Sequence, residues 1–241
     1  MDDQWQQRNG SRLVGEQPHG GRQLVVAEFD LGGPSCYRIE FGNNELAAAV
    51  RLLAYQPRSI ALLPLVIHEA ANNNFVPIAA QFQLTVTSLA DALALGMHNL
   101  VMCTEDLPFI DRDSVDIEAL EETFIGAMQY EALDTICSAW PRGPIDDDFN
   151  EPLATDLPVL LLSGSADPVT PPDYAEMALV GMTNHAHIIN AHQGHGQLAA
   201  GCMPEVIADF INAASPAGLD DSCMERAFVM PFFIDFSGPM P

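Results

Sequence analysis

The sequence predicts an α/β fold, and three observations carry that expectation. Leu157 to Leu162 (LPVLLL) is an unbroken apolar run between turn signals, the pattern of a strand buried on both faces in a parallel sheet. The run stops at Ser163-Gly164, and Thr170-Pro171-Pro172-Asp173 then opens a helix that ends near Gly181. In that opening Thr170 reads as the N-cap, Pro171 as the first helical residue and Asp173 as the partner in a capping box. A second strand, about His185 to Asn190, leads into the loop Ala191-His192-Gln193-Gly194-His195-Gly196. In open α/β sheets the functional groups gather just past the carboxyl ends of the strands. Asp167 and His195 both fall there.

An Asp followed by a His on successive strand ends matches the last two members of a triad in the order Ser, Asp, His. The imidazole takes a proton from a serine hydroxyl, and a buried carboxylate fixes its tautomer and stabilises the imidazolium. The segments SGSADPVTPP, QGHG, GCMP and CTEDLPF, over roughly Leu24 to the end, resemble the C-terminal half of tripeptidyl aminopeptidase-like α/β-hydrolases. These are similar to proline iminopeptidases. The resemblance implies a partial α/β-hydrolase fold: C-terminal parallel strands and helices with a helical cap, the N-terminal strands and nucleophile elbow absent. It implies Asp167 as triad acid and His195 as triad base, a small peptide or ester as substrate, and export from the cell. No cofactor and no metal are expected.

The serine is the missing member. No G-x-S-x-G elbow occurs in the 241 residues. His19-Gly20-Gly21 and Gly32-Gly33-Pro34-Ser35 imitate the missing parts, but a hairpin suits them better. Leu24–Phe29 and Tyr37–Phe41 read as its strands and Gly32-Gly33-Pro34 as its turn, which leaves Ser35 a poor replacement nucleophile.

Composition and spacing, together with what the resemblance implies, divide the chain into three stretches. Residues 1–22 are polar and Gly-rich and read as a disordered leader, without the basic and apolar regions of a secretory signal. Residues 23–130 read as the hairpin and a helical cap. In it one helix is capped at Asn43-Asn44, another runs from Ser59 to Asn72, and a short one from Ser88 to Gly96 follows a segment through Phe82. Residues 131–241 read as the C-terminal part of the hydrolase core. Asp113 to Ala139 looks like one long helix across that boundary, and Glu205 to Ala214 an amphipathic one with Val206, Ile207, Phe210 and Ile211 inward.

In Met97 to Asp106 an apolar run ends in adjacent carboxylates. The resemblance implies that a cap glutamate here holds the substrate's free amino group, with Glu105 the candidate and Asp106 second. A partly buried carboxylate pairs well with an ammonium and rejects blocked N-termini. A turn or helix-cap acid is the plainer reading of both.

The formal charge of −24, from 9 basic and 33 acidic residues with no lysine, argues against nucleic acid and anionic membranes as partners. It fits a surface adapted to salt as well as plain acidic drift. No apolar run is long enough to span a bilayer. The five cysteines contain no C-x-x-C pair, and five reduced buried thiols is one reading of them. The resemblance implies two disulfides, Cys103–Cys137 and Cys202–Cys223. His185, His187, His192 and His195 crowd one segment, yet no cysteine or second carboxylate motif completes a tetrahedral metal set by spacing.

Three functions remain open at this level. One is a serine hydrolase of aminopeptidase or esterase type that lacks its nucleophile half and is inactive alone. Another is a non-catalytic α/β-hydrolase-like binding protein, and a third is a His-cluster metal protein. A truncated sheet would leave an apolar edge at Leu157–Leu162, open to a complementing N-terminal half, to self-association or to the hairpin.

Overall fold

The computed structural model describes residues 11–19, 22–30, 36–226 and 229–238. They fall into two compact units, one of residues up to Leu52 with Val66–Phe149, the other of Leu53–Leu65 with Asn150–Pro241.

The first unit opens with an antiparallel sheet in the order β1 (Ser11–His19), β2 (Arg22–Asp30), β3 (Cys36–Phe41). The hairpin read from the sequence is the β2–β3 pair, with Val25 opposite Phe41 and Phe29 opposite Tyr37. Strand β1 pairs with β2 over a stretch that reads as leader from composition alone. Gly20, Gly21, the Gly32-Gly33-Pro34 turn and Ser35 lie outside the described residues.

Two helices follow in sequence, α1 (Asn43–Leu53) and α2 (Pro57–Ala71). Glu45 reaches back to accept the Gly42 N–H at 2.8 Å, half of a capping box, so the boundary is Gly42 and not the asparagines. Ser59 does not cap α2; its hydroxyl donates back to the Gln56 carbonyl. The sequence between Val76 and Ala92 forms one helix, α3, in place of two short segments, with proline in its first turn where the missing N–H costs nothing. Phe41 and Phe82 meet edge to face at 6.0 Å and join β3 to α3.

Helix α4 (Leu95–Val101) runs into a π-helical turn, Met102–Asp106. The long helix expected from Asp113 to Ala139 is instead α5 (Ile117–Glu121) and α6 (Met128–Ala139). The Thr123 hydroxyl donates to the Leu120 carbonyl and accepts the Gly126 N–H, and Gly126 sits at φ +66°, left-handed backbone that a helix cannot pass through. The Cys103–Cys137 disulfide ties the π turn to α6 around a small core that includes Leu107.

In the second unit β4 (Val159–Gly164) and β5 (His185–Asn190) form a parallel pair, from Val159 opposite His185 to Gly164 opposite Asn190. Helix α7 (Pro172–Ala178) connects them and α8 (Met203–Ala213) follows. Ile188, Met203, Val206 and Met224 make the core, with Leu160 and Leu162 packed against it. The Cys202–Cys223 disulfide closes the segment behind α8. Among the described residues β4 pairs with β5 alone, and Val159 to Leu162 are half-buried where full burial is the sequence expectation. The C-terminal tail is held by the Phe233 N–H, which donates to the Ala61 carbonyl at 2.9 Å. Among the described residues no single helix is long and apolar enough to cross a membrane.

Candidate active site

The tips of β4 and β5 are stitched together by backbone. The Ser165 N–H donates to the Asn190 carbonyl and the Ala166 N–H to the Gln193 carbonyl, each at 3.0 Å. The His192 N–H donates to Ser165 Oγ at 2.8 Å. This works only because β4 ends in glycine: a Cβ on Gly164 would run into the carbonyl oxygens of Gln193 and Gly194. Gly194 meets the same demand from the opposite side, since a Cβ there would strike the Tyr55 carbonyl. The histidine loop is thus clamped between a strand end and the Tyr55-Gln56 turn.

That turn sets His195. The His195 N–H donates to the Tyr55 carbonyl at 2.8 Å, and Gln56 Nε2 donates to the His195 carbonyl at 3.0 Å. The Tyr55 ring lies edge-on to the imidazole at 5.2 Å. Behind the loop, Gln197 Nε2 donates to the Gly194 carbonyl at 2.8 Å, and Asn190 Nδ2 reaches Gln197 Oε1 at 3.3 Å.

Asp167 comes to meet it. His195 Nδ1 lies 3.0 Å from Oδ2 and 3.2 Å from Oδ1 of Asp167. The loop after β4 folds back on the carboxylate. Oδ1 accepts the N–H groups of Val169 at 2.8 Å and Thr170 at 3.0 Å, and Oδ2 accepts the Thr170 hydroxyl at 2.9 Å. This is an Asx-type turn. Burial pushes the Asp167 carboxyl up, but the hydrogen bonds from Val169, Thr170 and His195 outweigh it and hold the group below its ordinary value. The Asp167 side chain is 4% exposed and that of His195 41%. The acid is therefore enclosed and fixed as a carboxylate, while the base is open. Nδ1 faces the carboxylate, and among the described residues Nε2 makes no hydrogen bond. A neutral imidazole held this way carries its proton on Nδ1 and offers a lone pair on Nε2.

Thr170 corrects the sequence reading. Helix α7 begins at Pro172 with Pro171 as its N-cap, and no side chain caps it. Residue-type preference alone assigns the Thr170 hydroxyl to the helix; the nearer, buried carboxylate takes it instead. The Asp-Pro-Val-Thr spacing is the one signal in the sequence for this turn.

The other histidines disperse. His185 Nδ1 contacts the Met182 carbonyl at 2.7 Å. His187 sits between Glu176 Oε1 at 2.6 Å and Ser163 Oγ at 2.9 Å. Among the described residues no three His, Cys, Asp or Glu side chains gather to hold a metal ion.

Glu105 and Asp106 lie in the other unit, on the π turn; Glu105 is half-buried and Asp106 exposed. Thr104 beside them is buried, donates to the Leu100 carbonyl at 2.7 Å and accepts the Gly143 N–H at 2.8 Å. With the Cys103–Cys137 bridge this fixes the turn that presents both acids. An open cleft of about 500 Å³ follows immediately, lined by Leu107, Pro108, Ile110, Asp111, Arg112, Asp113 and Arg142, with neither Glu105 nor Asp106 in its wall.

Both disulfides pair as the resemblance implies. What sequence reasoning missed is the support: Tyr55, Gln56, Gly164 and Gly194. Searches of curated proteins and of solved structures find no match. Residues 122–223, which include Asp167 and His195, match the family model described as TAP-like protein, and this supports an α/β-hydrolase family for the chain.

Proposed function

We propose that this chain supplies the acid–base half of a serine hydrolase of aminopeptidase or esterase type. The single observation that carries the reading is the enclosed Asp167 carboxylate at 3.0 Å from Nδ1 of an open His195. In that role Nε2 takes the proton of an attacking serine hydroxyl, and Asp167 holds the tautomer and steadies the imidazolium that forms. The later return of that proton to the leaving group completes acyl transfer. The serine comes from a nucleophile elbow that these 241 residues do not contain, so the chain by itself does not turn over. Glu105, with Asp106 beside it, is the proposed anchor for a free α-amino group; its half-buried position and lack of an ion partner among the described residues support that role.

Activity-based labelling tests the reading. A fluorophosphonate probe should leave the purified chain unlabelled, and should label an elbow serine when an N-terminal hydrolase segment carrying G-x-S-x-G is co-expressed with it. His195→Ala should abolish that labelling; labelling that survives the substitution refutes the assignment. Replacing Glu105 by Gln should then weaken cleavage of peptides with free N-termini and leave acetylated ones unaffected. The lack of a G-x-S-x-G elbow in the sequence favours a second reading, a non-catalytic binding protein of the same fold. Persistent silence toward the probe after complementation, together with measurable peptide binding, would select it.

A further inference from the structure

We infer that Thr170 is a positioning residue that fixes the proton on Nδ1 of His195 by anchoring the Asp167 carboxylate. The inference rests on the proposed partnership of Asp167 and His195. Three contacts carry it. The Thr170 hydroxyl donates to Asp167 Oδ2 at 2.9 Å, its N–H donates to Oδ1 at 3.0 Å, and Oγ1 lies 3.4 Å from His195 Nδ1. A carboxylate offers about four acceptor sites. Here they are filled by Val169 N–H, Thr170 N–H, Thr170 Oγ1 and His195 Nδ1.

The two backbone donors act on Oδ1, the oxygen farther from Nδ1. Among the described residues Oδ2, the nearer one, is oriented by Thr170 and His195 alone. Because the Asp167 side chain is 4% exposed, water is a poor substitute for a lost donor there. Among the described residues the hydroxyl's one other contact is His195 Nδ1, and α7 makes no use of it as a cap. Remove it, and the carboxylate is free to turn about its Cβ–Cγ bond toward the backbone donors, away from the ring. The imidazole then drifts toward the Nε2–H tautomer preferred by an unrestrained histidine, which cannot accept a proton at Nε2.

The test is long-range ¹⁵N–¹H NMR of the full chain, reading the tautomer ratio of His195 above its titration. Wild type should be dominated by the Nδ1–H form. Thr170→Val keeps the branched shape and should lower the Nδ1–H to Nε2–H ratio about tenfold, as expected for one hydrogen bond to a charged group. Thr170→Ser restores the hydroxyl and should hold the ratio within about twofold of wild type. A wild-type ratio in folded Thr170→Val overturns the inference. Should that variant fail to fold, the serine variant decides: a lost Nδ1–H form despite the hydroxyl overturns it equally. Asp167→Asn separates the two levels. If it leaves the His195 ratio unchanged, the Asp167–His195 partnership itself fails; if it shifts the ratio while Thr170→Val does not, only the role of Thr170 fails.

Discussion

The parallel pair β4–β5 carries two imidazole–carboxylate contacts, and they are built inside out from one another. At the strand tips the acid is enclosed and the base open, with Asp167 4% and His195 41% exposed. On the flank of the sheet the base is enclosed and the acid open, with His187 7% and Glu176 63% exposed. The flank even has the connectivity of a triad, since His187 Nε2 lies 2.9 Å from the Ser163 hydroxyl. Yet Ser163 is 6% exposed and both ring nitrogens of His187 are already engaged. That set straps α7 to the sheet. Proton transfer to a substrate needs one nitrogen left for the substrate and a carboxylate that is not wetted, and only the tip offers both. Exposure, more than residue identity, separates the two.

Substitutions that strike one pair and spare the other sharpen this contrast. The largest effect is expected from Gly164→Ala. The new Cβ forces the histidine loop off the end of β4, at a cost of about 3 kcal/mol, and breaks the tip pair while leaving the contact between His187 and Glu176 in place. Urea midpoints give the first and histidine NMR signals the second; an unperturbed His195 signal would break the proposed clamp.

Asp167→Asn comes next, at about 2 kcal/mol near neutral pH, because an amide offers poorer acceptance to the donors around it. The carboxyl is held below its ordinary value, so its stabilisation is complete above the unfolded-state value of about 4 and is lost as pH falls through the depressed folded value. The gap between wild type and Asp167→Asn should therefore be flat from neutral down to about pH 5 and close in stronger acid. A gap that instead opens as pH falls would contradict the sign.

Ser163→Ala should cost about 1 kcal/mol, since it leaves an enclosed His187 nitrogen without its partner. Smallest of all, Glu176→Gln should cost well under about 1 kcal/mol, as an exposed acid in a surface-type pair does. If Glu176→Gln proved as damaging as Asp167→Asn, the inside-out distinction would lose its energetic meaning.

The parts of this molecule that show in the sequence are the parts made from neighbours. The apolar run at Leu160–Leu162 and the strand at His185–Asn190 are local patterns, and Asp167 and His195, though 28 positions apart, show because each follows directly on one of those strands. The Asp167 cradle is local as well, closed within three residues, but two motifs competed for Thr170 and the helix cap is the more familiar one. The break in the expected long helix turned on Gly126 and Thr123, where a hydroxyl outcompetes the helical ladder and glycine accepts the left-handed backbone. The seat of His195 was illegible for a different reason. Gln56 and His195 are 139 positions apart, and the contacts that hold the loop are mostly backbone carbonyls, which every residue owns. Only the glycines left a trace, and a glycine after a strand has many explanations.

Each of the two cysteine bridges closes within a single unit: Cys103 with Cys137 in one, Cys202 with Cys223 in the other. Reducing either bridge should consequently loosen the unit that contains it. The imidazole at the strand tips then reports on the Cys202–Cys223 bridge of its own unit, and the carboxylates of the π turn on the Cys103–Cys137 bridge of theirs.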